Sequence, residues 1–167
     1  MVGPEARGAM TWSFSRREAT AALVAGLAGA VLIHVCLLVV GPALSPAFAL
    51  TPQALYTFIA ATLVGQAAAG ANPDFIWLGV ALHLAVSLAW AGGYVRIARS
   101  MPQLVRLPAL SGLGFGLVIY FVMLLVLLAA NLYTKPTPGS VGLGLLANCV
   151  FFGLPVALIA AALTKSR

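Results

Sequence analysis

The sequence predicts an all-α fold, an integral membrane four-helix bundle with an extra short helix, re-entrant or interfacial, between the first and second spans. Three observations predict it. Hydrophobic residues fill 62% of the 167 positions and charged residues only 7%, against about 25% charged in a soluble domain, so lipid must be the solvent. Four charge-free stretches, 19–40, 75–95, 109–131 and 141–163, each reach the roughly 20 residues that cross a bilayer core. The basic residues sit one to three at a time at the ends of those stretches, which is where charge orients membrane helices. The chain is long enough for a single transmembrane domain over 1–167 and leaves no room for a separate soluble one.

Between the first two stretches, 53–70 is apolar but shorter and carries Gln53, Thr57, Thr62 and Gln66. Charge bias decides whether it spans. With four spans, Arg7, Arg16, Arg17, Arg96, Arg99, Arg106, Lys165 and Arg167 share one side and Lys135 lies opposite, a split of eight to one. A fifth span flips everything after it and gives four to five. The positive-inside rule therefore selects four spans with both termini cytoplasmic, and 53–70 becomes a helix on the outer side. Thr51-Pro52 is its start signal, an N-cap followed by proline at the first helical position. Asn72-Pro73-Asp74 repeats the logic before the second span. Pro42, Pro46 and Pro52 are expected to keep the preceding connection from becoming helix.

At the N-terminal end, Ser15-Arg16-Arg17 before an apolar run, with Ala47-Phe48-Ala49 after it, has the outline of a twin-arginine signal and its cleavage site. The apolar run of 22 residues is longer than such a signal uses, and Ser15 with Glu18 forms an ordinary capping box. An uncleaved first helix is the reading adopted.

Small residues four apart let membrane helices approach closely. Gly26 with Ala30, Ala89 with Gly93, and Gly112 with Gly116 have that spacing. The run from Gly112 to Gly116 is no nucleotide loop, since it lies within an apolar stretch without a preceding strand or a lysine. Pro155, shortly after Gly153, removes a backbone hydrogen bond inside the fourth span and predicts a kink near its middle, either a static bend or a hinge. Trp77 near the outer boundary and Trp90 and Tyr94 towards the inner one fit aromatic belts. Cys36 and Cys149 lie in apolar runs, as small core residues do.

Chemistry has few places to live. The three carboxylates, Glu5, Glu18 and Asp74, all lie outside the charge-free stretches, which argues against a proton relay and against paired-carboxylate catalysis. No zinc-protease, serine-hydrolase or paired-cysteine motif is present. His83 and Ser87 are one turn apart, but nothing supplies the acid that a serine–histidine pair needs. No enzymatic activity and no cofactor are predicted. The scattered basic residues form no stripe with interleaved aromatics, so nucleic acid is excluded as a partner. The lipid bilayer is the predicted partner, and other membrane subunits are the further candidates.

The polar residues within the spans are the best remaining clue. At 1.5 Å per residue from the outer ends, His34 lies about 9 Å deep, Asn148 about 10 Å, and His83 and Met123 about 12 Å. His83, Ser87, Trp90 and Tyr94 recur on one helical face. This intramembrane layer of His34, His83, Ser87 and Asn148 has two readings. One is interhelical hydrogen bonding by neutral imidazoles. The other is a haem or pigment metal gripped by His34 and His83.

From Phe75 onward the chain resembles the uncharacterised YagU-like bacterial inner-membrane proteins. The matching residues are His83, Ser87, Ala91, Gly93 and Tyr94 in one span, then Pro102, then Gly112 and Gly116 in the next, with Gly153-Leu154-Pro155 late in the chain. The likeness covers about half of the chain. It implies a four-helix topology and a bacterial inner membrane, and brings no activity with it. Some relatives carry histidine where this chain has Asn148. The leading functional expectation is a non-enzymatic accessory or scaffolding subunit; a small transporter or channel, and a haem- or pigment-binding subunit, are the alternatives.

Overall fold

The computed structural model describes residues 14–132 and 135–164. Arg7, Lys165 and Arg167, which count in the charge split, and the carboxylate Glu5 lie outside the described residues. Those that are described form helices only, and four of these are long and apolar enough to cross a membrane. We number the helices α1 (Arg16–Leu44), α2 (Pro52–Val64), α3 (Gln66–Ala71), α4 (Phe75–Ser100), α5 (Gln103–Arg106), α6 (Pro108–Ala129) and α7 (Pro138–Thr164). The spans α1, α4 and α7 are a few residues longer than the charge-free stretches, because helix continues into the polar boundaries, whereas α6 ends two residues before its stretch does. Large apolar side chains such as Leu23, Val31, Val39, Leu110 and Leu125 point outward, which suits lipid and would not suit water.

Local chemistry explains the ends. Ser15 and Glu18 form the expected capping box at the start of α1, and Thr51 caps α2 with Pro52 at its first position. A second box, between Thr137 and Ser140, starts α7 ahead of the apolar stretch. Asn131, placed at the end of the third span by charge alone, instead terminates it. It takes a left-handed conformation (φ 54°), its N–H donates to the Leu128 carbonyl and that of Leu132 to Leu127. This is a Schellman stop, with Leu132 folding back on Leu127.

Pro42 does not break the first helix. Both interrupted spans use one device. Cys36–Val40 in α1 and Leu146–Gly153 in α7 are π-helical, and each ends just before a proline. The Gly41 N–H reaches the Cys36 carbonyl and the Leu154 N–H reaches Cys149, both five residues back, with Pro42 and Pro155 next in the chain. A proline ring collides with the carbonyl four residues earlier, and the wider π turn gives it room. At Pro155 the hydrogen-bond register is shifted just ahead of the proline. Pro46 and Pro52 likewise begin helical turns.

The spans α4, α1, α7 and α6 follow one another in space. α1 and α4 run antiparallel: Glu18 meets Arg99 (3.7 Å), Gly26 meets Leu88 and Ala91, and His34 meets His83. Both ends of the 52–71 segment are thus at the same end of the bundle, opposite the arginines, so this segment does not cross. At about 1.5 Å per residue α2 is also too short for a core of about 30 Å. It lies against α4, where a methyl on Gly79 would overlap the Tyr56 carbonyl, and with α3 it covers Leu132 and Leu127 near the end of α6. Gly65 joins α2 to α3 at φ 85° and ψ 154°, a region open essentially to glycine alone. Gly65→Ala has space for its methyl but not the backbone freedom, and should cost about 1–3 kcal/mol, read as a lower melting temperature in detergent.

Two kinds of seam hold the spans together. Where small residues face each other the backbones touch. Gly112 and Gly116 on α6 receive Gly153 on α7, and a Cβ on Gly116 would overlap the Asn148 carbonyl and Cys149 Cα. Gly26 receives Leu88. Gly93 does not belong to this set: it is exposed, nothing lies within 4 Å of its would-be Cβ, and Ala89 is exposed beside it. The Ala89–Gly93 pair faces outward, so its spacing carries no packing within this chain. Between α4 and α6 the gap is filled by rings, with Phe115 packed against Trp90 and Tyr94 at centroid distances of 5.8 and 4.9 Å. Tyr94 is consequently no belt residue; it is 2% exposed in the core, whereas Trp77 is 74% exposed, as a boundary tryptophan should be.

Candidate functional site

The predicted polar layer is split by the structure into separate places. His34 and His83 come together. The His34 Nδ1 lies 2.6 Å from the carbonyl of Ala30, one turn back, and the His83 Nε2 lies 3.3 Å from the same oxygen. A carbonyl only accepts, so both nitrogens donate. In the neutral form of each ring those bonds place the His34 proton on Nδ1 and the His83 proton on Nε2. The rings meet edge to face at 4.4 Å, and the Tyr56 ring of α2 stands 5.1 Å from His34. His34 Nε2 is then a bare lone pair. It is buried, and among the described residues it is the only buried side-chain polar atom without a hydrogen-bond partner.

His34 lines a crevice of about 520 Å³ between α1, α2 and α4. Apolar side chains line it, including Val31, Val35 and Val39 on α1 and Leu84 on α4, all four of which are exposed on the bundle's outer surface. The crevice therefore opens sideways to lipid. Tyr56 and the crevice itself went unforeseen in the sequence, because Tyr56 and one wall of the crevice belong to α2, a helix that does not cross.

Asn148 stands elsewhere. Its Nδ2 donates to the Gly144 carbonyl in its own helix at 2.8 Å, and it shares a second crevice of about 320 Å³ with Met123, Tyr120 and Phe58. Ser87 is buried at 4% exposure one turn further along α4; the partner of His83 is Ala30 across the helix seam and not Ser87. Towards the arginine end, the hydroxyls of Tyr94 and Ser111 lie 2.8 Å apart and both reach the Leu104 carbonyl. A third crevice there, about 640 Å³, is bordered by Arg17, Glu18, Arg99 and Arg106.

This geometry does not fit the haem or pigment alternative. Two axial imidazoles must point lone pairs at one metal, which separates the ring centres by about 6 Å at metal–nitrogen bonds of about 2 Å. Here the centres are 4.4 Å apart and both rings turn an N–H to one carbonyl. Among the described residues no three His, Cys, Asp or Glu side chains gather as a metal site. Cys36 and Cys149 are free, one buried and one half-buried.

The fold and these crevices define a multi-pass α-helical membrane protein. Compared with family models, with curated proteins and with solved structures, the chain matches none.

Proposed function

We propose that the chain is a non-catalytic accessory or scaffolding subunit of a bacterial inner membrane, with both ends in the cytoplasm. The observation that supports this reading is how its intramembrane polar groups are used. His34, His83 and Asn148 each bond a backbone carbonyl of the bundle, and the two outer crevices they border are separate and mainly apolar. A transport path needs polar groups strung along one route, so the small-transporter reading is the weaker one. The inner-membrane location rests on the resemblance to YagU-like proteins, and the orientation on the arginines gathered at one end.

Two measurements test the proposal. Single cysteines at Asp74 and Lys135 should react with a membrane-impermeant maleimide added to intact cells, and one at Arg99 only after permeabilisation; external labelling at Arg99 would overturn the orientation. Extraction in a mild detergent should yield an assembly larger than the 17.2 kDa chain, containing at least one other membrane protein. A chain that always purifies alone would overturn the subunit reading.

A further inference from the structure

We infer that the crevice at His34 is a binding site for an uncharged, bilayer-soluble amphiphile whose hydroxyl group donates a hydrogen bond to His34 Nε2. This goes beyond the accessory-subunit reading and does not depend on it.

The chemistry of the ligand follows from the atoms that would meet it. His34 Nδ1 is committed to the Ala30 carbonyl at 2.6 Å, so Nε2 can only accept, and the ligand must donate. Nε2 is buried and has no partner, a condition that costs free energy in an apolar setting and that a donor relieves once the ring turns this nitrogen toward the crevice that His34 lines. The pair is deep: His83 lies eight residues inside α4, about 12 Å from its outer end. An ionised headgroup at that depth would need a counter-charge, and the crevice is lined by His34, His83, Tyr56 and apolar side chains, with no Lys, Arg, Asp or Glu among them. A carboxylate is excluded twice over, since it carries charge and has no proton to give. A neutral hydroxyl satisfies both demands.

The apolar body follows from the walls. Val31, Val35 and Val39 descend the lipid-facing side of α1 and Leu84 faces them from α4, so a hydrocarbon tail entering from the bilayer stays in contact with apolar surface throughout. The volume of about 520 Å³ is in the range of small-molecule sites. Tyr56 and Pro52 close the crevice on the outer side, which directs entry through the membrane and not from water.

The test uses purified protein in lipid nanodiscs, titrated with n-dodecanol and with dodecyl methyl ether, which keeps the chain and oxygen but has no donor. The readout is the 15N NMR shift of His34 Nε2, with the melting temperature as a second measure. Dodecanol should shift the resonance saturably, and the ether should bind at least tenfold more weakly. In His34→Phe, which keeps a ring and removes the acceptor, the two ligands should raise the melting temperature equally. Val35→Trp, which fills the lipid-side entrance and leaves both histidines in place, should abolish saturation by dodecanol. Equal binding of alcohol and ether to the unaltered protein, a linear response without saturation, or undiminished saturation in Val35→Trp would each overturn the assignment.

Discussion

Gly116→Val should prevent α6 and α7 from docking and leave little folded protein in the membrane. At this position a Cβ would overlap the Asn148 carbonyl and the Cys149 Cα. Neither obstacle is a side chain that could swing aside. Forcing extra methylenes into packed cores costs about 1–3 kcal/mol when side chains can give, and backbone against backbone removes that relief. The contact is also reciprocal, because Gly153 on α7 is held against Gly112 and Gly116 on α6, so separating the helices at one glycine exposes all three. Gly93→Val is the matched control. Nothing lies within 4 Å of its Cβ position, and an exposed valine there should change stability by no more than about 0.5 kcal/mol. The comparison is read from the yield of monodisperse protein and from thermal unfolding in detergent. Equal behaviour of the two variants would show that the glycine seam does not hold the bundle.

That pair of glycines also marks how far the sequence could be read. Gly112-xxx-Gly116 and Ala89-xxx-Gly93 are the same signal, small residues four apart in an apolar helix. One is a backbone seam and the other faces lipid. Spacing fixes which residues share a helical face, but the rotation of that face towards a neighbour depends on the neighbour, and in lipid both sides of a helix are apolar. The hydrophobic contrast that orients helices in water is missing. The spans themselves were legible because crossing a bilayer needs only length and composition, and the arginines at one end supplied the count. Pro42 was misread because it looks like a breaker, yet a π turn on its N-terminal side lets the helix pass through, as another does before Pro155.

The candidate site was half legible. Polar residues within a span stand out, so His34 and His83 could be named, and equal depth correctly allowed them to meet. Asn148 has that depth too and belongs to a different crevice, since depth says nothing about azimuth. Tyr56 carried no signal at all. It lies in the outer helix, whose seat is set by a glycine on the second span that has no small partner at four-residue spacing, because its partner is a carbonyl.

That glycine provides the other large effect. Gly79→Val should lift α2 from the bundle while the four spans stay assembled. The would-be Cβ overlaps the Tyr56 carbonyl, and the Tyr56 carbonyl carbon is 2.7 Å away, so α2 must move as a unit. A 13-residue helix that does not cross has fewer buried contacts than a span, which makes its docking the step that yields. Hydrogen exchange in nanodiscs should then accelerate at least tenfold over 52–64, a factor of ten being about 1.4 kcal/mol at 25 °C, while 108–129, packed through the α6–α7 seam, keeps its protection. Tyr56 leaves with α2, so the crevice at His34 loses its outer wall and its Nε2 becomes accessible to water; the 15N resonance of that atom should shift without any added ligand. If instead exchange rises equally across α2 and α6, the outer helix is an integral part of the bundle's cooperative unit, and the separate seating of α2 on Gly79 is wrong.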